Sequence, residues 1–460
     1  MANVEFIHPE YNKYEEQIKM VNNVFNGTDD VGMYIKRFPQ EAEETYTERV
    51  SSIALRNFVK RATEAFVGMI FRKPINTTGY SKRVNEIFKN IDTKSSLNQF
   101  TRSVATDLIL DGVTYILVEN SVDGSTDPYF VPIKRKSIIN WRKDVNGSFT
   151  LVVIKEIVTE QSDIDEFELS EVEQYRVLRQ DSITIYRKNS DGDYEVYGEP
   201  IVTSLGYIPL IELELAKIPP LYDIAKLNIK HLNRTSSKDR YLDMSACPVP
   251  VIWGADIDDD DTPSTAKPAL VIGVDEAFIF QGTKDECDFQ WRELQGTSIN
   301  ELQKDLTVIE KDITSGVIRA SQSDSQTIKT ATQAYYESAE ASNRVTVIAN
   351  IIEYGISKAV DILIDYLNEP VPQLGAVMIN KDYNAIASDS GQVRLLWEMY
   401  LGGVLSIETL LSSLEQYEMI SVGNPADEVE RIKADNFQPE PKVGDKEIIK
   451  PIDNTVKPLL

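Results

Sequence analysis

Between Gly296 and Leu367 a helix, a short polar loop and a second, very long helix follow one another with no proline-rich or glycine-rich interruption. The first opens at Thr297-Ser-Ile-Asn-Glu301, where a hydroxyl residue ahead of Glu301 suits an N-terminal cap, and places Ile299, Leu302, Leu306 and Ile309 at three- and four-residue spacing. It is expected to end near Ser315-Gly316. The segment Val317 to Lys329 is rich in Ser and Gln and carries Arg319. From Thr330 a helix continues for more than thirty residues, with Val345, Ile348, Ile352, Ile356, Ala359, Leu363 and Tyr366 on one face. Such a helix is about 50 Å long at 1.5 Å per residue, longer than a compact domain usually needs. The pattern suits a mechanical part better than an enzyme.

At 460 residues and 42% hydrophobic content the chain can build two or three domains or one extended subunit with a sizeable core. It has no run of eighteen apolar residues, and its first residues lack a charged segment followed by an apolar one. The expectation is a protein neither exported by a signal peptide nor partnered with a membrane. Cys247 and Cys287 are the only cysteines, so no disulfide framework is expected, although the two could approach if their strands pair; a reducing site of synthesis fits best. A net charge of −25 opposes any broad grip on nucleic acid, which needs Lys and Arg against phosphates. It is compatible with letting nucleic acid pass, since an acidic wall repels DNA over a screening distance of roughly 8 Å.

Along the chain, helices are expected at Tyr14 to Phe25, Thr45 to Phe71 and Leu97 to Leu110, the last running through Asp111-Gly112 into the strand Val113 to Glu119. Mostly β structure follows to about Leu215, with strands near Pro128 to Pro132, Leu151 to Ile157, Glu173 to Leu178 and Ser182 to Arg187. Leu221 to Met244 reads as a helix with a polar second half and is closed by Pro248 and Pro250. A small β module spans Val249 to Trp291, with Val249 to Trp253, Ala269 to Ile272 and Ala277 to Phe280 as its strands. Beyond the long helix, Val377 to Tyr383 is strand-like, Gln392 to Tyr400 and Ser406 to Tyr417 are short amphipathic helices, and Asp427 to Ala434 adds a turn or two. The segment from Phe437 to Leu460 is charged and proline-rich with little apolar periodicity, and a poorly ordered tail is expected.

Chemistry-bearing motifs are scarce. Phosphate-binding and dinucleotide-binding glycine patterns, HExxH, paired CxxC and the nucleophile elbow are absent, so no catalytic residue, cofactor or metal is expected. The two histidines, His8 and His231, give a triad or zinc site almost no material, and His231 reads as solvated or interfacial. Asp256-Ile-Asp-Asp-Asp-Asp261 lacks the glycine and distal Glu of a calcium loop and reads as a solvated acidic turn. The basic row Lys226, Lys230, Arg234, Lys238 and Arg240 could touch a phosphate backbone, but in so acidic a chain it fits better as a face satisfied by carboxylates of the same or an adjacent chain.

Taken in order, these elements resemble the portal proteins of tailed bacteriophages. The local wording carries the likeness: Phe66-Val-Gly-Met-Ile-Phe-Arg-Lys-Pro74, Asp111-Gly-Val-Thr-Tyr-Ile-Leu-Val-Glu119, Ile138-Ile-Asn-Trp141, Leu205-Gly-Tyr-Ile-Pro209, Thr330 to Asn343 and Leu401-Gly-Gly-Val-Leu-Ser-Ile-Glu-Thr409. Each is short and unspecific alone; together they run from about residue 5 to residue 435. The resemblance implies an α+β portal fold: wing 1–218, first stem helix 219–246, β-rich clip 247–294, second stem helix 295–315, tunnel loop 316–329, long helix and remaining wing 330–390, small helical crown 391–436 and flexible tail 437–460. It departs from the family in the smallness of the crown.

The same resemblance implies a homo-oligomeric ring of about twelve copies at one capsid vertex, with copy number set by the closing rotation. Double-stranded DNA would be packaged and ejected through its channel without sequence preference. The clip, through Trp253, Asp256, Asp258, Asp259, Asp260 and Asp261, would dock the terminase large subunit and later the head-tail adaptor, and the major capsid and scaffold proteins would surround the ring. Arg319, Ser321, Gln322 and Lys329 would face DNA in the tunnel loop, where one cation per subunit becomes a ring of charge. Such a protein is made in the host cytoplasm and resides in the virion. Two other classes are weighed against it: another virion ring component such as an adaptor or baseplate protein, and a carboxylate-and-metal nuclease, whose acidic cluster beside a Lys is not found at a fitting spacing.

Overall fold

The computed structural model describes residues 3–39, 41–120, 127–161, 167–189, 191–246, 249–253, 278–280, 288–292, 297–317, 331–370, 372, 375–381, 390–416, 429 and 431. Contacts divide the chain into two units, Met1–Tyr383 and Asn384–Leu460. The first mixes helix and sheet as an α+β protein.

The first unit opens with α1 (Glu15–Asn26), α2 (Thr28–Val31), α3 (Glu43–Ser52), α4 (Phe58–Ile70), β1 (Asn76–Thr78), α5 (Lys82–Ile87) and α6 (Leu97–Asp111). One helix was expected over Thr45 to Phe71; the structure breaks it between Ser52 and Phe58. Apolar spacing runs across the break because Ile53 and Phe58 are both buried. Asn57 ends the continuity: its side chain accepts from the Lys60 backbone N–H at 2.8 Å and donates to the Val24 and Phe25 carbonyls. Ser96 and Gln99 form a reciprocal capping box at the start of α6, and Gly112 closes that helix at φ 74°. A Cβ on Gly112 would lie 2.3 Å from the Ala216 carbonyl oxygen, so sterics and backbone conformation both require glycine there.

The β region comprises β2 (Val113–Glu119), β3 (Tyr129–Lys134), β4 (Ile138–Lys143), β5 (Phe149–Gln161), β6 (Leu169–Arg179), β7 (Ser182–Lys188), β8 (Tyr194–Val196), β9 (Ile201–Val202) and β10 (Leu210–Glu214). Antiparallel pairing orders a three-stranded sheet β10-β2-β3 and a larger sheet β4-β5-β6-β7-β8, with β9 also on β7. Strand β2 reads as an unbroken apolar run because both its faces are buried. Ile116 and Val118 face the helical core, while Val113, Tyr115 and Leu117 join Ile138, Val152, Ile154 and Leu178 between the two sheets.

The chain then forms α7 (Tyr222–Ala246), β11 (Val249–Trp253), β12 (Phe278–Phe280), β13 (Asp288–Arg292), α8 (Thr297–Val317), α9 (Ala331–Leu367) and β14 (Ala376–Met378), which pairs antiparallel with β1. Helix α8 was expected to stop at Ser315-Gly316 and runs to Val317. The expected strand at Ala269 to Ile272 lies outside the described residues, and β13 was not anticipated. Helix α9, 37 residues, spans about 55 Å at 1.5 Å per residue. Its stripe Val345, Ile352, Ile356, Ala359 and Leu363 is fully buried and forms the spine of the core with α4, α6, β2 and β10. Gly355 lets α9 approach β10: a Cβ there would sit 2.8 Å from the Leu213 side chain.

The second unit contains α10 (Ser390–Leu401) and α11 (Ile407–Gln416). Gly403, at φ 71°, turns the chain between them. The Ser406 hydroxyl accepts from the Thr409 backbone N–H at 3.2 Å, and Leu410 and Leu411 are buried.

Candidate functional site

The elements that the sequence singles out for function are the α7–α8 hairpin and what lies at its end. Val249 pairs with Arg292 and Trp253 with Asp288, so β11 continues from α7 and β13 leads into α8; β12 adds a parallel strand on the other side of β11. The two helices run antiparallel, as the Arg234–Asp305 and His231–Glu310 contacts require, and the Ile309 and Ile313 stripe of α8 joins the same core cluster as Leu232 of α7.

Three buried polar arrangements fasten α7 to the body. Asn228, fully buried, accepts from the Phe58 backbone N–H at 2.8 Å and donates to the Arg56 carbonyl at 3.0 Å, occupying the start of α4. His231 is 6% exposed, which corrects the solvated reading. Its Nε2 lies 3.1 Å from Glu310 Oε1, its ring meets Phe58 edge-on, and Arg56 also binds Glu310. His8, the other histidine, stacks on Trp141 at 4.0 Å, far from this seam in sequence and in contacts.

The third arrangement centres on Glu41, whose carboxylate is wholly enclosed. Arg49 binds it at 2.9 and 2.8 Å, the Phe38 backbone N–H donates at 3.0 Å and Arg240 of α7 donates at 2.8 Å. Arg49 also reaches the Ser236 hydroxyl and stacks over Phe38. The Arg49 hydrogen bonds hold Glu41 down to about 2, against the opposing effect of burial, with the Phe38 N–H and the two guanidinium charges adding to the lowering. No sequence signal marks this site, because Glu41 and Arg240 are 199 positions apart.

The basic row of α7 therefore divides. Arg240 turns inward to Glu41. Arg234 pairs with Asp305 at 2.9 Å, and Lys238 with Asp239 at 3.8 Å. Lys226 lies over the Tyr222 ring, and Lys230 is exposed with no ion pair among the described residues. Backbone places Trp253 at the end of β11. Asp256, Asp258, Asp259, Asp260 and Asp261, both cysteines, Arg319, Ser321, Gln322 and Lys329 all lie outside the described residues.

A second polar cluster occupies the sheet region. Arg176 on β6 bridges Glu119 on β2 and Glu156 on β5, and Tyr129 donates to Glu119 at 2.8 Å; desolvation, with the Glu119 charge, pushes the Tyr129 hydroxyl up to about 12. At the end of α6, burial raises Asp107 to about 6, with Lys134 at 3.7 Å opposing the shift and Asp111 adding to it. Among the described residues no group of three or more His, Cys, Asp or Glu could hold a metal ion, and no helix is long and apolar enough to cross a membrane.

The matching family model is a domain of unknown function, DUF4055, over residues 220–367, which takes in α7, the β module, α8 and α9. No curated protein matches this sequence. Solved structures similar to this chain include the virion of a native gene transfer agent particle (TM-score 0.41, 10% identity, 86% of this chain and 99% of that one). Two others are the neck of an empty gene transfer agent particle computed with C6 symmetry (0.43, 11%, 83% and 96%) and the neck of the native particle computed with C12 symmetry (0.41, 12%, 78% and 89%).

Proposed function

We propose that this chain is a portal-type subunit: a structural, non-catalytic component of a virion whose copies close into a ring around a DNA channel. The observation that carries the reading is the order of elements in the first unit. An α/β body sends out an antiparallel helical hairpin with a small sheet at its end, and the chain returns through α8 to a 37-residue helix that forms the spine of that same body. A hairpin that is packed on one side and ends in a separate β module is built to project from a body, and a ring gives its open sides something to pack on. The motifs that resemble portal proteins, from Phe66-Val-Gly-Met through Thr330 to Asn343, fall along the same elements, and Leu401-Gly-Gly-Val lies in the second unit.

In this reading α7 and α8 are the stem, β11–β13 the clip that receives terminase and then an adaptor, and residues 318–329 the tunnel loop, with Arg319 and Lys329 toward DNA. A net charge of −25 per copy keeps the channel wall from adhering to DNA while a few ringed cations position it. The test is assembly and binding together. Purified protein imaged by negative-stain electron microscopy is expected to give rings with an open centre, and those rings are expected to bind the terminase large subunit. Rings that bind only tail proteins and never terminase would favour an adaptor or baseplate component instead.

A further inference from the structure

We infer that the free end of the β5–β6 ribbon is a strand-addition site for a different protein, one that presents an extended segment of alternating aliphatic and basic residues. Strand β5 pairs with β4 only as far as Ile154, and β6 pairs with β7 only over Gln174 to Leu178. The two strands nonetheless stay paired with each other out to Gln161 opposite Leu169. Lys155 to Gln161 and Leu169 to Glu173 therefore continue past the rest of the sheet as a two-stranded ribbon, about 20 Å long at 3.3 Å per residue. No strand among the described residues pairs with the outer edge of β6 between Leu169 and Glu173. Such a ribbon is marginal in water by itself, and its open edge is a template for a further strand.

The root of the ribbon is tied down. Lys155 binds Glu173 at 2.7 Å, Tyr194 donates to Glu173 at 2.6 Å, Arg176 binds Glu156, and Arg187 of β7 holds Glu160 through bonds of 2.6 and 3.0 Å. These ties preorganise the edge, so little ordering cost is left for a partner strand to meet. On the outer face of the sheet Val4 and Tyr11 pack with Val153, Tyr175 and Val177. Farther out on that face nothing equivalent covers Ile157, 64% exposed, or Leu169, 68% exposed. Glu168 and Glu171 are exposed with no ionic partner among the described residues, whereas Glu156, Glu160 and Glu173 each have one. A strand added here satisfies the open backbone edge, sets an aliphatic side chain beside Leu169 and brings Lys or Arg to Glu171. The same edge of a second copy does not fit, because pairing identical strands edge to edge is two-fold and brings the uncompensated carboxylates of both together.

Hydrogen exchange of the full chain, followed by mass spectrometry, reads the edge directly. The probe is the peptide acetyl-KVKVKVK-amide, with acetyl-EVEVEVE-amide as its control. The basic peptide is expected to slow exchange across residues 169–173 about tenfold, as pairing of exposed amides requires, and the acidic peptide to leave it unchanged. E168K/E171K is expected to abolish that slowing and L169S to weaken it severalfold, both melting like wild type. Should the reversal disturb folding, E168Q/E171Q is expected to weaken the slowing severalfold, and undiminished slowing overturns the charge pairing. No slowing by the basic peptide, or equal slowing by both peptides, overturns the inference. Slowing that appears without peptide and grows with protein concentration names a second copy as the occupant and overturns it as well. The readout needs no ring: its failure leaves the ring reading standing, and a chain that stays monomeric leaves this edge to be judged by the same exchange.

Discussion

The spine around α9 and the α7–α8 hairpin belong to one unit yet are held together by different means. Around α9 the contacts are apolar and continuous: Ile352, Ile356, Ala359 and Leu363 are wholly enclosed, and the helix is straddled by α4, α6, β2 and β10. Along α7 that apolar core continues through Ile224, Ala225 and Leu232, and discrete polar contacts are added through Asn228, His231 and Arg240, each reaching a partner far away in sequence. Apolar burial is non-directional and tolerates small shifts; a buried hydrogen bond to a charged group fixes one geometry and is costly to break. The body is thus stabilised by area, and on the hairpin a few directional polar locks are added to the apolar contact it shares with that body.

The contrast can be broken from either side. Ile352→Ala opens a cavity in the spine and is expected to cost about 2–5 kcal/mol, seen as a large fall in melting temperature with no change in its pH dependence. Glu41→Gln attacks a lock instead. It leaves Arg49 and Arg240 without their enclosed carboxylate and is expected to cost about 3 kcal/mol at neutral pH.

The pH dependence separates the two variants. Glu41 is held at about 2 in the fold against 4.5 in the unfolded chain, so its contribution is present above about 4.5 and is lost as pH falls from there through about 2. Melting of wild type and E41Q across pH 2–7 is therefore expected to converge at the acid end, whereas I352A stays offset throughout. Parallel curves for E41Q would show that the carboxylate charge is not what holds the hairpin.

Asn228→Ala removes a smaller lock, and about 1–3 kcal/mol is expected because the Phe58 N–H is left buried without an acceptor. Hydrogen exchange at the start of α4 should rise more than exchange in α9. On the proposed ring reading, R319E/K329E is expected to alter DNA retention or packaging while rings still form. Unchanged phage yield would take both residues off the channel.

The same contrast governs what could be read from the sequence. Helix α9, the buried strand β2 and helix α6 were legible because apolar periodicity, an unbroken apolar run and the Asp111-Gly112 end are local signals. The break at Ile53 to Asn57 was not, since the apolar spacing continues through it and the residue that stabilises it, Asn228, comes from α7. His231 looked polar enough to be solvated because its enclosing partners, Phe58 and Glu310, lie on α4 and α8. The basic row was visible as a row, but nothing local distinguished Arg240, which turns inward to Glu41, from Lys230, which stays in solvent.

The most direct test of the ring reading is electron microscopy of the purified chain after size exclusion, alone and with capsid protein. Rings with an open central hole are the expected result. A compact monomer that persists in the presence of capsid protein would contradict it.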